Sequence, residues 1–322
     1  MRGMKSVLVA VLVCSFLLSA AGAFADPWTK VFSFDRGNDP KSLAWETLPG
    51  KPQEVTAGPA AFCIPVEGSA LIADSLNLRI LFAQASGTPR SPIDLVPVAS
   101  QAGFAVPVSA GDIGLSGDGS LYVADHSNRT VHIFDKEGKY SRSLLNAYGM
   151  GRAFLQIDRL QVDDKGRSFI EDLAGLKTVI FGPDGIVSTV LPGFTTLAID
   201  RNGTIYRVLF EGQSRERKIE ICDPSGKPLR TLGKVSGKVG ILFIYPIGVS
   251  PEGNLFLFIA CPGGNEIVGM DKDGKEFLRE KAPQPPSWPG CGFPYRVGGD
   301  GNLYVLDVGN PLTGIRKIWR NR

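Results

Sequence analysis

Six glycines punctuate this chain at a regular place in a repeated pattern: Gly68, Gly119, Gly166, Gly203, Gly253 and Gly301. Each follows a polar residue and opens a short β-rich run. Four residues before them stand Ile64, Leu115, Val162, Ile199, Val249 and Val297, and six before them Phe62, Ile113, Leu160, Leu197, Ile247 and Tyr295. The position between holds Cys63, Gly114, Gln161, Ala198, Gly248 and Arg296, mostly small. Alternation of period two with one apolar face is the mark of a β-strand. Three residues after each glycine comes a large side chain, Leu71, Tyr122, Phe169, Tyr206, Phe256 or Tyr304, in a second strand.

A second turn follows. Gly87, Gly138 and Gly185 lie 19 residues after the first turn glycine, and Gly226 and Gly274 lie 23 and 21 after theirs. Their Gly, Asp and Pro content is the chemistry of tight hairpins. Each unit therefore reads strand, turn, strand, loop, strand, turn, strand, and the units recur every 37 to 51 residues. Four antiparallel strands in a repeat of that length make a β-propeller blade. The expected fold is all-β, a six-bladed propeller with blades at about 58–98, 110–145, 158–191, 194–232, 245–280 and 293–319. The last unit lacks a fourth strand, and the orphan run Trp28–Asp35 is expected to supply it, since an open ring would leave unpaired edges.

The first 25 residues have the form of a secretory signal peptide: Arg2 and Lys5, an apolar run Val7–Leu18, and Ala23-Phe24-Ala25 before Asp26. This predicts an exported chain, periplasmic or extracellular, with one mature domain at 26–322, no membrane span after cleavage and a monomeric state. The chain has 35 basic and 32 acidic residues; without the leader's two basic ones the balance is 33 to 32. Such a neutral chain has no electrostatic footprint for nucleic acid or anionic lipid. Cys63, Cys222, Cys261 and Cys291 remain, too widely spaced for a CxxC or zinc-finger pattern.

The stretch SGDGSLYVADHSNRTVHIFDKEG, ending at Gly138, resembles the NHL repeat, and LIADSLNLRILFAQASG at Leu71–Gly87 is similar. The likeness extends to all six units in layout but closely to the first two only. The hallmark is an Asp six residues past the turn glycine, then Asn and a basic residue: Asp74, Asn77 and Arg79, then Asp125, Asn128 and Arg129. Asp172 with Lys177, and Asp307 with Asn310 and Arg316, are looser copies, whereas Leu209 and Ile259 break the column. These four Asp residues are expected to brace loops as Asx-type turns and to pair with the cation that follows.

NHL-type propellers include binding platforms, lyases and secreted proteins, so function must come from the site. An amidating-lyase-like zinc site would need histidines from several blades. The chain has only His126 and His132, both in blade two, expected respectively at the surface and packed. The lactonases of similar shape carry calcium at the channel, where this chain offers Ala61, Asp112, Arg159, Thr196, Pro246 and Pro294 at the strand starts. One carboxylate with one Arg is a poor cage for a hard cation. DKDGKE at Asp271–Glu276 and GKVSGKVG at Gly233–Gly240 lack the spacing of a calcium loop and a phosphate loop.

The loops Thr88–Ala110, Gly233–Tyr245 and Lys281–Phe293 are long, and the last carries Trp288 and Cys291. Cys291 can pair with Cys261 to staple two rim loops. The reading this supports is a non-catalytic binding or scaffold propeller for a protein or glycan, with Asp112, Arg159, Arg296 and Trp288 as contacts and with no metal or other cofactor. The alternative is a lyase or lactonase-like hydrolase with a divalent cation in the channel.

Overall fold

The computed structural model describes residues 29–48, 51–86, 90–144, 154–194, 196–209, 216–237, 240–282, 294–308 and 313–319. The leader, Trp288, Cys291 and the second turn glycine Gly87 lie outside them. The chain begins with β1 (Thr29–Phe34) and a hairpin of β2 (Glu46–Leu48) and β3 (Lys51–Ala57) that pairs only with itself. Blade one is β4 (Ala61–Cys63), β5 (Ser69–Asp74), β6 (Arg79–Gln84) and β7 (Ile93–Asp94). The loop expected after it contains a short helix, α1 (Val96–Gln101), with Pro97 in its first turn, where a missing N–H costs nothing.

Blade two is β8 (Ala110–Leu115), β9 (Leu121–Asp125), β10 (Thr130–Phe134) and β11 (Tyr140–Ser143). Blade three is β12 (Ile157–Val162), β13 (Ser168–Asp172), β14 (Lys177–Phe181) and β15 (Val187–Pro192). Blade four is β16 (Leu197–Ile199), β17 (Ile205–Leu209), β18 (Glu216–Cys222) and β19 (Pro228–Ser236), so the loop expected from Gly233 starts as strand. Blade five is β20 (Phe243–Val249), β21 (Leu255–Cys261), β22 (Gly264–Met270) and β23 (Glu276–Lys281). Blade six holds β24 (Tyr295–Val297), β25 (Leu303–Asp307) and β26 (Thr313–Trp319).

All six blades are four-stranded, because β1 joins the sixth as its outermost strand, in the order β1-β26-β25-β24. Thr29 faces Lys317 and Phe34 faces Thr313 in that antiparallel pairing. The closing strand is held by burial: Phe32 and Phe34 are 8% and 7% exposed and pack with Phe62 and Ile72 of blade one and Tyr304 and Ile315 of blade six. Burying a side chain of that size contributes about 1.5–3 kcal/mol. The other cores likewise lie between neighbouring blades, as with Ala61 and Ile80 of blade one against Ile113, Leu121 and Phe134 of blade two.

In blades one, two and three the repeated Asp organises the loop after the second strand. Asp74 accepts from Ala44 N at 3.2 Å, Asn77 Nδ2 at 2.7 Å and Arg79 Nε at 2.8 Å. Arg79 in turn donates to the carbonyls of Asn38, Asp39 and Ser42, latching the segment that leaves β1 onto blade one. Asp172 accepts from the backbone N–H groups of Leu155, Gln156 and Gly175 and pairs with Lys177, and Asp307 accepts from Arg316.

Blade two departs from the expected pairing. Arg129 aligns with Leu78 and Leu176, all three in the left-handed region at φ 53°, 50° and 48°, and the cation place opposite Asp125 is taken by Thr130. His132 replaces the cation instead. Its Nε2 lies 3.0 Å from Asp125 Oδ2 and its Nδ1 2.8 Å from Ser143 Oγ, with both the His and the Asp at 0% exposure. Asp125 also takes Ser109 N, Ser127 N and Asn128 Nδ2 at 3.0, 3.0 and 2.6 Å. Burial works to raise this carboxyl, but the bonds from His132, Asn128 and Ser109 outweigh it and hold the group below the usual carboxylate range. Asp125→Ala orphans all these donors at once. The expected loss is about 3–5 kcal/mol in denaturant unfolding, with Asp125→Asn costing less.

Candidate functional site

The inner strands β4, β8, β12, β16, β20 and β24 stand around the central channel, packed side by side except that β12 meets β16 through the Gln161 side chain. The small residues in the middle of these strands set how close the blades come. A Cβ on Gly114 would lie 2.8 Å from Val162 Cγ2 of the next blade, and one on Gly248 would lie 3.1 Å from Val297 Cγ2. A glycine thus makes the hole that the neighbour's branched side chain fills. Two strands break the rule, with Gln161 and Arg296 at this position, and both side chains reach across blade boundaries. Gln161 joins blade three to blade four, donating to Leu197 O at 3.1 Å and accepting from Ile199 N at 3.1 Å. Arg296 crosses from blade six to blade two, where its Nη2 lies 2.6 Å from Asp112 Oδ1.

Asp112 is 1% exposed, and its other oxygen accepts from Leu160 N at 2.9 Å. Arg159, 3% exposed, donates to Leu197 O at 2.9 Å and to Pro246 O and Ile247 O at 2.5 Å each, linking blades three, four and five. The channel therefore brings Asp112, Arg159 and Arg296 together, as cross-braces rather than as rim contacts. Burial puts Asp112 and Arg159 out of reach of a macromolecule docked on the rim. Among the described residues Cys261 is a free buried thiol, its sulfur against the Gly237 backbone, and Cys291, its expected partner, lies outside them.

Above these braces, at the end where the inner strands begin, lies a second group of ionisable side chains. A bulge between Ile157 and Arg159 leaves Asp158 out of the ladder on β12, a device that re-aims a side chain. Glu171 on β13 is 2% exposed, and its Oε2 accepts from Thr196 N at 2.7 Å. Burial pushes its carboxyl up to about 7, with the Arg159 charge pulling the other way and Asp158 adding to the rise. Asp158 is also raised, first by burial and then by Asp112, against the opposing charges of Arg159 and His126. The Tyr245 ring sits 5.0 Å from the Arg159 guanidinium, and its hydroxyl is raised by burial.

His126 is not at the open surface as expected. Its ring lies over Gly111, where a Cβ would come within 2.1 Å of it, and its Nε2 is buried without a hydrogen-bond partner. His132 is packed, within the Asp125 network.

Glu171 and Asp158 were not picked out by the repeat, although the repeat contains their signal. Five residues after the turn glycine the other blades have Ala73, Ala124, Val208, Phe258 and Leu306, so Glu171 is the lone charge in an apolar column. Eight residues before it stand Ala60, Gly111, Asp158, Thr195, Tyr245 and Phe293, again with a single charge.

The residues here do not fit a hard divalent cation. Among the described residues no three His, Cys, Asp or Glu side chains converge as metal ligands. Asp112 is committed to Arg296 and to backbone N–H groups, and two guanidinium groups share the same channel. What the arrangement offers is proton transfer, since a carboxyl that ionises near neutrality is matched to acid–base work.

The raised Glu171 also sets a pH dependence of stability. Its ordinary value is 4.5, so between pH 4.5 and 7 the unfolded chain has lost a proton that the folded chain keeps. Stability is full below that window and falls as pH rises through it. At 1.36 kcal/mol per unit the loss approaches ~3 kcal/mol. Unfolding measured across the window should show this slope in the wild type and a flatter one in Glu171→Gln.

No protein-family model matches the chain, and no curated protein matches it either. Solved structures do. A streptogramin B lyase aligns at 12% identity and a TM-score of 0.52, covering 83% of this chain and 84% of that one. A putative gluconolactonase aligns at 15% identity and a TM-score of 0.51, covering 91% and 98%. Virginiamycin B lyase from Staphylococcus aureus aligns at 14% identity and a TM-score of 0.49, covering 81% of each chain. At these identities the likeness is one of fold, the six-bladed propeller.

Proposed function

We propose that this propeller turns over a small molecule at the strand-start mouth of its channel, as a lyase or lactonase-like hydrolase in which Glu171 carries the proton. The observation behind this reading is one side chain: a fully buried glutamate that ionises near 7 beside Asp158, Arg159 and Tyr245. A structural carboxylate gains nothing from such a value, whereas a proton carrier needs it. The names borne by the structures of similar fold, a streptogramin B lyase and a putative gluconolactonase, agree with this class of reaction.

In a hydrolysis, ionised Glu171 takes a proton as water adds to the ester carbonyl and returns it to the alkoxide oxygen as the C–O bond breaks. Arg159, fixed by three carbonyls, holds positive charge beside the carbonyl oxygen where negative charge develops. Burial, with the Asp158 charge adding to it, keeps the Glu171 carboxyl high. Nothing in this scheme passes through a metal.

The reading from the repeat, an exported NHL-type platform for a protein or glycan, draws on a different observation. Val106, Leu155, Leu173, Leu176, Leu242 and Phe243 are all exposed in loops or strand starts at this same end. Exposed apolar side chains on one face are what a docking partner covers. Export and a likeness of the blades to the NHL repeat are compatible with both readings.

The two are separated by assaying the mature chain on γ- and δ-lactones and on streptogramin B. Turnover is expected, with a pH–rate inflection near 7. Glu171→Gln should lower kcat about 10²–10⁴-fold without a lower melting temperature. Undiminished turnover in that variant sinks the assignment of Glu171. Absence of turnover on every substrate, together with capture of a protein from the exported fraction, favours the platform.

A further inference from the structure

The opposite end of the channel, where the inner strands turn into the second strands, opens into a cavity of about 480 Å3 with all six blades in its wall. Its wall is repetitive. Ile64, Leu115, Val162, Ile199, Val249 and Val297 all line it, one branched aliphatic side chain per blade. Leu115, Val162, Val249 and Val297 are only half-buried, so packing between blades leaves part of each facing the cavity. The floor is Arg296. Its guanidinium is bonded to Asp112 at 2.6 Å and to Tyr295 O at 3.1 Å, so the charge at the deep end is neutralised.

The mouth carries a different charge. Arg201, exposed on the turn of blade four, reaches past blade five and donates from Nη2 to Gly299 O of blade six at 2.6 Å. That bond holds the side chain across the opening, and among the described residues its other guanidinium N–H groups meet no protein carbonyl. Two carboxylates share the rim. Asp200 Oδ1 is tied into its own turn by Asn202 N at 2.8 Å and Thr204 N at 2.9 Å, and Asp164 stands on the adjacent turn.

We infer that this cavity binds a small monocarboxylate with an apolar body, the body lying within the aliphatic collar and the carboxylate on Arg201 at the mouth. The volume lies in the usual range for a small-molecule pocket, ~300–1,000 Å3, and an apolar wall with a few placed polar groups is the usual lining. An inorganic anion would leave the collar unfilled. A dicarboxylate would bring a second charge to a floor where Asp112 already satisfies Arg296. A cation would meet Arg201, and of the two rim carboxylates Asp200 is already tied into its own turn. Arg presents the planar fork that pairs with a carboxylate.

Titration calorimetry of the mature chain with hexanoate, with hexanamide as the uncharged control, tests this. Hexanoate should bind and hexanamide should bind at least ~10-fold more weakly, a difference of about 1.4 kcal/mol. Arg201→Ala should bring hexanoate down to the hexanamide level, and Val249→Trp should block both. Methyl NMR of the unaltered protein supplies a readout that no variant can spoil: hexanoate should shift Val249 and Val297 and leave Ile219 unchanged. Glu171→Gln, at the other mouth, should bind hexanoate as the wild type does, so this result stands or falls apart from turnover. Equal binding of hexanoate and hexanamide, hexanoate binding unaffected by both cavity variants, or no methyl shift at millimolar hexanoate would each overturn the inference.

Discussion

The contact on which this molecule depends is the one between successive inner strands, where a side chain of one blade enters a space left by its neighbour. Gly114 receives Val162 at a distance that leaves no room for a Cβ, and Gly248 receives Val297 almost as closely. A branched side chain fills that space from the neighbouring blade, and interiors at crystal density tolerate no misfit of a methylene. Closure of the ring adds a second demand, because the blade that ends the chain must be finished by the strand that begins it. The Phe32 and Phe34 rings and the Asp74–Arg79 latch meet that demand from opposite sides of the junction between blades six and one.

Where the small residue is missing, the packing rule inverts and polar chemistry takes its place. Arg296 and Gln161 cannot accept a neighbour's side chain, so they reach inward and find Asp112 and the backbone of blade four. Arg159 does the same with three carbonyls. A buried guanidinium is stable only with such a set of acceptors, since an unpaired charge in a dry interior costs several kcal/mol. These braces divide the channel. On one side lies the raised Glu171, and on the other an aliphatic collar under Arg201.

Much of this was legible in the residue columns. Turn glycines and alternating apolar positions located all six blades and the closing strand, because a backbone period needs no knowledge of what lies opposite. The Asp column was equally plain, and its loop-bracing geometry follows from the short reach of the side chain. The exchange of Arg129 for His132 as the partner of Asp125 was not plain. The basic residue of blade two stands one place earlier in the sequence, on the left-handed position that Leu78 and Leu176 occupy in their blades, and a histidine two residues into the next strand takes its role. Likewise His126 looked like a surface residue because its sequence neighbours are polar, yet it finds a bed on Gly111, some fifteen residues earlier.

By itself, then, the sequence determined the blade, the number of blades and the way the ring is closed, because each follows from local periodicity and turn chemistry. Only the tertiary structure decided which of the irregular residues meet. Asp112 and Arg296 lie 184 residues apart and share no motif, but the ring places their blades within reach across the channel. The proton affinity of Glu171 is likewise a property of its surroundings. Burial and the balance of Arg159 against Asp158 set it, and no column of residues contains that information.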